Sequence, residues 1–550
     1  MTTSNPLVDL QPSSVWSHFA TLCAIPRSSY HEAALREHLI AWARARGIEA
    51  VVDSVGNLIL KKPASPGCES MPGVILQGHL DMVCQANAGT VHDFERDAID
   101  VQVRDGWVVA ENTTLGADNG IGVALALAAL EEPGLIHPPL EVLLTVNEES
   151  GMDGARGLAP GTLQGKFLIN LDTEEWGHFY LGCAGGVDVE VRPRHGAAEP
   201  TGAGVGASHL LPQTADFVGN VSEVRHECEW EAVPPGHALL RFDVYGLCGG
   251  HSGIDIHLGR GNAIKLLSEA LRDLSAHSGL RLIEMKGGTA RNAIPREAYA
   301  LCALPVTVAA SIDEWVRPQG SNVRVGARGV TVAASIDEWV RHRHDVWRQR
   351  FAEADANVAF ACQHFDTLPT NALTNTERDR LLVFLDTAPN GVARASDDFP
   401  GVTDTSSNLG VLVLEQGTLK ATFKVRSLHD ARADALADKL AAHASSYGLR
   451  AWKGGAYPGW TPNPSSGLLA LCQRVYTVQF GQPASLQVIH AGLECGLLAA
   501  SHPQLDMISF GPDIRGAHAP GERVEIASVA RCWQLLKAVL QALALPRTVA

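Results

Sequence analysis

Short apolar runs alternate with helical segments in the first part of the chain, and this alternation restricts the fold more than any other feature. A helix is predicted before these runs, because apolar residues recur at helical spacing up to Gly47. The apolar segment from Asn119 to Glu132 predicts a second, buried helix. The runs themselves have the length of buried strands: VGNLIL, GVILQGH, EVLLTV and KFLINLD. Strands that alternate with helices predict an α/β fold around a mainly parallel sheet.

The pattern changes from about Val187 onward, and a chain of 550 residues is too long for a single hydrophobic core. Strand and helix signals then form two similar units, which start at HALLRFDVYGL and at VLVLEQGTLKATFKVRSL. The α/β pattern returns after KGGAYPGW. We therefore predict a discontinuous domain, residues 1–187 and 453–550, and an inserted α+β domain, residues 188–452, which is built as an internal pseudo-pair.

Two stretches of the inserted domain have an unusual composition. The segment from Arg194 to Asp216 is rich in Gly, Ala and Pro, which is typical of a surface loop. The sequence VTVAASIDEWVR occurs at Val306–Arg317 and again at Val330–Arg341. A single repeat indicates a local tandem duplication, because a solenoid needs about three or more repeats. We expect the second copy to form the helix, with a capping box at its start.

Composition and charge favour a protein of the cytoplasm that binds small molecules. The formal net charge of -16 disfavours nucleic acid and acidic membranes as partners, whereas divalent cations and small zwitterions suit it. The 11 cysteines are scattered without any C-x-x-C pair, which is typical of reduced, buried thiols. The first residues lack the pattern of a signal peptide. No apolar run reaches the roughly 18 residues of a membrane span.

Acidic residues and histidines follow the predicted strands of the α/β part. Because the carboxyl ends of parallel strands meet at one edge of a sheet, side chains at these ends converge on a common site. Each motif alone is typical of an ordinary turn or surface residue, but their joint occurrence indicates a metal site. Mixed histidine and carboxylate ligands suit zinc, cobalt or manganese. The candidates are His79 and Asp81, Asp118, Glu148 and Glu149, Asp172, and His518.

These motifs resemble those of the co-catalytic zinc exopeptidases, a family that includes aminoacylases, carnosinases and bacterial dipeptidases. The resemblance extends from Ile25 to beyond Glu522. It implies that residues 1–187 and 453–550 form a catalytic metal-binding domain and that residues 188–452 form a lid or dimerisation-like domain. Two oligomeric states stay open, a homodimer and a monomer whose doubled inserted domain imitates a dimer. The matching stretches are QGHLDMV, TTLGADNGIG, NEESGMDGA, INLDTEE, GCAGG, GGHSG, GGTARNAIPREA, KGGAYPGW, IHAGLECG and GAHAPGE.

The resemblance also implies a site for two divalent metal ions, with zinc as the expected metal and cobalt or manganese as alternatives. Asp118 would bridge the two ions through its two oxygens. His79 and Asp172 would complete the coordination of one ion, and Glu149 and His518 would complete that of the other. In the family the peptide bond after the bridging aspartate is cis, although cis bonds are otherwise rare outside proline.

The pair Glu148–Glu149 is expected to divide its roles, since adjacent strand residues point to opposite sides. Glu149 is then the ligand, and Glu148 is the general base that takes a proton from the attacking water and passes it to the departing amine. Asp81 would orient the imidazole of His79.

Three residues of the inserted domain complete the expected site. His251 in GGHSG resembles the family histidine that stabilises the tetrahedral oxyanion. Arg426 in FKVRSL could form a bidentate pair with a substrate carboxylate, and Asn292 in GGTARNAIP could donate hydrogen bonds to it. His490 and Glu494 in IHAGLECG correspond to a family loop near the substrate, but no specific role follows for them.

The resemblance implies that the function is the hydrolysis of dipeptides, including those that end in histidine. One alternative is an aminoacylase or tripeptidase with the same metals, although TTLGADNGIG and IHAGLECG favour the dipeptidase. A second alternative is a metal-binding relative that has lost hydrolysis. Glu148 argues against it, because a binding protein needs ligands but no base. A structural dimerisation protein would not explain the set of ligands.

Overall fold

The computed structural model describes residues 6–87, 89–193, 228–306, 332–365, 369–397, 399 and 401–545. The chain forms two compact units, residues 1–183 with 458–550 and residues 184–457. Each unit has a hydrophobic core of its own. Burying a leucine or valine in such a core contributes about 1.5–3 kcal/mol, so the long apolar strands drive the folding of both units.

Strands and helices are numbered along the whole described chain. The strands are β1 Glu49–Val52, β2 Leu58–Lys62, β3 Val74–His79, β4 Gln102–Arg104, β5 Trp107–Val109, β6 Leu140–Thr145, β7 Phe167–Asn170, β8 His178–Cys183, β9 Gly185–Pro193, β10 Trp230–Ala232, β11 His237–Tyr245, β12 Gly250–His251, β13 Arg281–Gly287, β14 Ala293–Ile294, β15 Ala298–Pro305, β16 Ala359–Phe365, β17 Asn371–Leu373, β18 Gly391–Ala395, β19 Thr403–Glu415, β20 Thr418–Ser427, β21 Leu449–Tyr457, β22 Ser485–Ile489, β23 Asp506–Ser509, β24 Ile514–Arg515 and β25 Arg523–Glu525. The helices are α1 Ser13–Ala24, α2 Ala33–Ala45, α3 Ala117–Glu131, α4 Glu148–Gly151, α5 Asp153–Gly157, α6 Ala263–Ser278, α7 Val332–Arg350, α8 Asn375–Thr387, α9 Asp430–Ser446, α10 Gly467–Phe480, α11 Glu494–Ser501 and α12 Ile526–Leu543.

The first unit is built on an eight-stranded sheet in the order β1-β2-β6-β3-β7-β23-β8-β22. Strands β6, β3, β7 and β23 at its centre are parallel. Strands β3 and β6 are buried along their whole length, as expected of a sheet covered on both faces. The predicted α/β class with a mainly parallel sheet is confirmed. Strands β24, β25, β5 and β4 form a separate antiparallel sheet.

Helix α3 is buried along almost its whole length. Every residue from Asn119 to Leu130 is buried, including all its alanines. An apolar helix without a polar face has to lie inside a protein, and α3 packs against α1 and β3. The prediction of a buried helix at this position is confirmed.

The second unit contains a nine-stranded antiparallel sheet made of two halves with the same topology. In the first half, β11, α6, β13, β15, α7 and β16 follow each other, and the strands lie in the order β16-β11-β15-β13. In the second half, β9, α8, β19, β20, α9 and β21 give the matching order β21-β9-β20-β19. The halves join where β13 pairs with β19, which leaves neither of these two strands as an exposed edge. The predicted internal pseudo-pair is confirmed.

The boundaries between the units differ by a few residues from those expected. The expected boundaries, 187/188 and 452/453, fall inside β9 and β21. These two strands are paired with each other from Leu449 opposite Pro193 to Tyr457 opposite Gly186. A cut within them would break this ladder, so both strands stay whole in the second unit.

Helix α7 contains the described part of the second repeat copy, which confirms the expected helix. It begins at Val332, before the expected capping box, so Ser335 and Glu338 lie inside the helix rather than at its start. The segment Arg194–Asp216 and the first repeat copy beyond Val306 lie outside the described residues. Across the described ranges, no helix combines the length and the apolar character needed to cross a lipid bilayer.

Candidate metal and catalytic site

His79 and Asp172 lie at the ends of adjacent parallel strands of the first unit. His79 is the last residue of β3, and Asp172 follows β7. Nε2 of His79 lies 3.5 Å from Oδ1 of Asp172. The two side chains meet because parallel strands place their carboxyl ends at the same edge of the sheet.

Asp118 places its carboxylate between two imidazoles. It lies near the start of α3, where its backbone is not helical (φ -78°, ψ 113°), and the Asp118–Asn119 peptide bond is cis, as expected. Oδ1 of Asp118 is 3.1 Å from Nε2 of His79, and Oδ2 is 3.0 Å from Nε2 of His518. The two oxygens of one side chain therefore face two different histidines.

Glycines allow the chain to pack closely around Asn119, which follows Asp118. The amide of Asn119 donates to the carbonyl of Leu171 at 2.7 Å. A Cβ atom at Gly78 would lie 2.2 Å from Oδ1 of Asn119, and one at Gly122 would lie 2.1 Å from the oxygen of Leu171. Only glycine fits at these two positions, so β3, α3 and the segment before Asp172 can approach one another.

Glu149 and His518 complete a second group around Asp118. Nε2 of His518 is 3.3 Å from Oε2 of Glu149. His518 lies in the Gly/Pro loop and has a left-handed backbone (φ 63°). Two groups with the spacing of metal ligands thus share Asp118, one with His79 and Asp172 and the other with Glu149 and His518.

Glu148 begins the short helix α4 beside these candidate ligands. The expectation that Glu148 and Glu149 are strand residues on opposite sides is wrong, because β6 ends at Thr145 and both residues belong to the helical turn that follows. Its carboxylate forms a further group of metal-ligand spacing with His79 and Glu149. Burial raises the pKa of Glu148 well above its ordinary value; the charge of His79 opposes this rise, and the charges of Glu149 and Asp172 add to it. A raised pKa makes a carboxylate a stronger base, which favours its taking up a proton.

Asp81 contacts both His79 and the start of α4. Nδ1 of His79 is 3.1 Å from the carbonyl oxygen of Asp81 and 3.4 Å from its Oδ1. These acceptors assign the proton of a neutral imidazole to Nδ1, so that the lone pair of Nε2 faces Asp118. The carboxylate of Asp81 also accepts the backbone N–H groups of Glu148 at 3.0 Å and Glu149 at 3.2 Å, which was not predicted.

The set of donor atoms fits divalent cations. Oε1 of Glu149 and Oδ1 of Asp172 are buried and have no hydrogen-bond partner among the described residues. Buried carboxylate oxygens without a partner are costly unless a cation compensates them. Asp118, Glu149 and Asp172 also bring more negative charge than two imidazoles can balance. Nitrogen and oxygen ligands in these positions suit zinc, cobalt or manganese.

Residues 75–542 match the family model described as peptidase family M20/M25/M40. The chain belongs to this family. It is therefore a hydrolase that acts on peptide bonds. The chain is 40% identical over 537 residues to the cytosol non-specific dipeptidase of Escherichia coli (strain K12), and the alignment covers 97% of this chain and 98% of that protein.

Solved structures agree with this membership in the M20 family. The aminoacylhistidine dipeptidase from Vibrio alginolyticus superposes with a TM-score of 0.78 at 36% identity, and the match covers 99% of both chains. These two relatives confirm the resemblance to the bacterial aminoacyl-histidine dipeptidase, also called cytosol non-specific dipeptidase. The aminopeptidase PepT from Bacillus cereus, with a TM-score of 0.50 at 14% identity, covers 98% of this chain and 100% of its own and shares the fold.

Glu522 of this M20 peptidase holds the loop that carries Asp118. Oε2 of Glu522 accepts the N–H groups of Leu115 at 2.7 Å and Gly116 at 2.9 Å. Oε1 accepts those of Ala117 at 2.7 Å and Asp118 at 3.2 Å. Glu522 is the last residue of the GAHAPGE motif, but its role could not be predicted, because its partners are backbone groups that a motif does not display.

Arg27 is a second residue without a sequence signal. It is 1% exposed. Its Nη1 donates to the carbonyl oxygens of Leu80 at 2.9 Å and Asp81 at 3.0 Å, and its Nη2 donates to that of Gly116 at 2.5 Å. Arg27 thereby ties the segment after His79 to the loop before Asp118. A single arginine in AIPRSS carries no pattern that would have revealed this position.

His251 and Arg426 of the M20 peptidase lie together in the second unit. Nδ1 of His251 accepts the N–H groups of Gly253 at 3.2 Å and Ile254 at 3.1 Å, so a neutral ring carries its proton on Nε2. This Nε2 lies 3.4 Å from Nη2 of Arg426, which is 4% exposed. Both atoms are then donors, and both can point toward one acceptor oxygen.

Asn292 is an exposed residue close to the same two side chains. Its carbonyl oxygen accepts the N–H of Ser252 at 2.7 Å, and Oγ of Ser252 is 3.5 Å from Nε of Arg426. The hydroxyl of Tyr457 accepts a hydrogen bond of 2.5 Å from Nη1 of Arg426. The structure thus groups the candidate metal ligands with Glu148 and Asp81 in the first unit, and Asn292 with His251 and Arg426 in the second.

Proposed function

We propose that this M20 peptidase is a dipeptidase that uses two divalent metal ions, with zinc as the expected metal, and that its substrates include dipeptides ending in histidine. One observation carries the proposal: the carboxylate of Asp118 lies between His79 and His518 and belongs to both groups of candidate ligands. The names of the Escherichia coli and Vibrio alginolyticus relatives support the choice of dipeptides.

The ligand roles follow the two groups that share Asp118. Asp118 would bridge the ions, His79 and Asp172 would hold one, and Glu149 and His518 would hold the other. When bound, the two ions would polarise the scissile carbonyl and lower the pKa of the attacking water. Cobalt and manganese are the alternative metals for the same ligands.

Glu148 is the proposed general base. Its carboxylate takes the proton of the water as the oxygen attacks the peptide carbonyl, and then gives that proton to the departing amine. The raised pKa of Glu148 suits both transfers. Asp81 holds the imidazole of His79 and the backbone of Glu148 in place through one carboxylate.

Residues of the second unit would recognise the substrate. Nε2–H of His251 would donate to the developing oxyanion, and Arg426 would pair with the terminal carboxylate of the dipeptide, with Asn292 as a further donor. The convergence of donors from His251 and Arg426 supports a role in binding anionic oxygens. We place this enzyme in the cytoplasm, acting on small substrates.

Metal content and Xaa-His hydrolysis should be measured for the wild type and for Glu148→Ala. We expect both proteins to bind metal, and the turnover of the variant to fall by about 10²–10⁴-fold, because the ligands remain and the base is lost. Glu175→Ala, which changes an exposed glutamate, is the control and should keep full turnover. Equal activity of Glu148→Ala and wild type would remove Glu148 from the mechanism.

A panel of dipeptides, tripeptides and N-acyl amino acids would separate the proposed dipeptidase from its relatives. We expect kcat/KM to be highest for dipeptides. A preference for N-acyl amino acids would indicate an aminoacylase, and a preference for tripeptides would indicate a tripeptidase; either result would contradict the proposed specificity.

A further inference from the structure

A row of buried polar side chains crosses four strands at the carboxyl edge of the first unit's sheet. We call Thr145, Gln77, Asn170 and Ser509 the polar row; all four are fully buried. Thr145, Asn170 and Ser509 are the last residues of β6, β7 and β23. Gln77 lies in β3 and pairs with Asn170, which also pairs with Ser509.

The polar row lies directly below proposed metal ligands. Gln77 and His79 are two positions apart on β3, so their side chains share one face of the sheet. Thr145 is the strand partner of His79 and lies on that same face. The strand that ends at Asn170 leads straight to Asp172. Below the row β3 and β7 are apolar, with Ile75 and Leu168 as neighbours on the same face, whereas β6 carries the buried Glu141 opposite Ile75.

The shortest hydrogen bonds of the polar row lead to one carboxylate, that of Glu494. Oγ of Ser509 donates to Oδ1 of Asn170 at 2.5 Å, and Nδ2 of Asn170 donates to Oε1 of Gln77 at 2.5 Å. Nε2 of Gln77 and Oγ1 of Thr145 then each donate to Oε2 of Glu494 at 2.6 Å. Glu494 is the final acceptor of the whole row.

Glu494 is fully buried at the first position of α11 and has no part in the proposed chemistry. Its other oxygen, Oε1, has no hydrogen-bond partner among the described residues. Two donors converge on Oε2 at 2.6 Å. An apolar side chain at this position would leave them only longer contacts, from Gln77 to Oγ1 of Thr145 at 3.4 Å and from Thr145 to the carbonyl oxygen of Gly78 at 3.3 Å. Burying a carboxylate costs desolvation free energy, so packing alone does not explain a glutamate at this position.

We propose that Glu494 is a positioning residue for the metal site. As the common acceptor for Gln77 and Thr145, it holds the ends of β3 and β6 in register, and so places His79 and the Glu148–Glu149 turn where they can bind metal. The inference rests on the proposed metal site. Groups that orient metal ligands in this indirect way typically change metal affinity by 10–100-fold when they are removed.

Metal affinity of the purified variants should be measured by competition between the protein and a chelator for Co²⁺ and Zn²⁺. Glu494→Leu should bind metal about 10–100-fold more weakly than the wild type, because Gln77 and Thr145 lose their short hydrogen bonds to the shared carboxylate. Glu494→Gln keeps a side-chain oxygen at the same place and should stay within about threefold of the wild type. Circular dichroism checks that each variant is folded.

Thr145 offers a matched pair that hardly changes the volume of the core. Thr145→Val removes the hydroxyl and should weaken metal binding by about tenfold, whereas Thr145→Ser keeps the hydroxyl and should bind like the wild type. If Glu494→Leu fails to fold, this pair of variants tests whether the hydrogen bonds of the polar row affect metal affinity.

Three results would overturn the inference in different ways. Wild-type affinity in folded Glu494→Leu or Thr145→Val would reduce the polar row to a structural role. An equal loss in Glu494→Gln and Glu494→Leu would show that the negative charge matters and not the accepted hydrogen bonds. A wild type that takes up no divalent metal would remove the proposed function together with this inference, whereas the first two results leave the proposed function intact.

Discussion

The carboxylate of Asp118 illustrates how single residues of this M20 peptidase are held by partners distant in sequence. Its backbone N–H and those of the residues before it are bound by Glu522, more than 400 positions later. Arg27 holds the carbonyl of Gly116 from the other end of the chain. A loop lacks the regular backbone hydrogen bonds of a helix or a sheet. Functional residues in a loop are therefore held in place only when such contacts restrict the loop.

Glu522→Gln should destabilise the protein by about 1–3 kcal/mol, since the new amide N–H would face backbone donors in place of an acceptor. Urea denaturation measures this loss, and metal content should fall with it because the loop carries Asp118.

The matched control is Glu525→Gln, a partly exposed glutamate of the same segment that pairs with Arg531. Glu525→Gln should lower the free energy of unfolding by about 0–1 kcal/mol. Equal stability of Glu522→Gln and the wild type would show that the four accepted hydrogen bonds do not support the loop.

At the level of elements, the end of α3 is tied to α1 and α2 through Glu131. Oε1 of Glu131 accepts from Nε2 of His18 at 2.9 Å, and Oε2 accepts from Nε of Arg46 at 2.8 Å. The pKa of Glu131 is lowered from 4.5, and the hydrogen bond from His18 is the largest cause. Burial opposes this decrease, and the hydrogen bond and charge of Arg46 add to it. This contact fixes the helix whose other end carries Asp118.

The lowered pKa of Glu131 predicts a stability difference that depends on pH. The folded state binds the proton of this carboxyl less readily than the unfolded state, so its contribution is present above about pH 4.5 and is lost as pH falls through the folded pKa. The free energy of unfolding of Glu131→Gln should therefore be about 0.5–1 kcal/mol lower than that of the wild type at pH 7.

At pH 3 that difference should shrink toward zero. Urea denaturation of both proteins at pH 7 and pH 3 gives the comparison. A difference that is unchanged or larger at pH 3 would contradict the ionised role of Glu131.

The whole molecule consists of two units with separate cores, and the second is a continuous segment, residues 184–457. The first unit needs both ends of the chain, because β23 near the C-terminus pairs with β7 in the middle of its sheet. In the second unit the first half is inserted into the second half along the sequence. Strand β9 of the second half precedes the entire first half, and the other elements of the second half follow it. Strand β9 then pairs with β20 and β21 of its own half.

A fragment of residues 184–457 should fold by itself with a cooperative transition, because a domain with its own core can be stable alone. The fragment 188–452, cut at the boundaries expected from sequence, should be about 2–4 kcal/mol less stable. It loses hydrogen bonds between β9 and both β20 and β21, and each typically contributes about 0.5–1.5 kcal/mol.

Urea unfolding of the two fragments followed by circular dichroism tests this difference. Equal midpoints and slopes would show that the ends of β9 and β21 add nothing to the second unit.

The sequence by itself determined the fold class and the doubled second unit, because these depend on local periodicity. The candidate ligands were found from motifs near strand ends and in loops, and their grouping around Asp118 was predicted through resemblance. The same resemblance predicted the cis bond after Asp118. Only the tertiary structure decided the exact unit boundaries and the contacts of Arg27, Glu522 and the polar row. Those contacts join backbone groups and buried side chains from distant strands, and such pairings leave no local pattern along the chain.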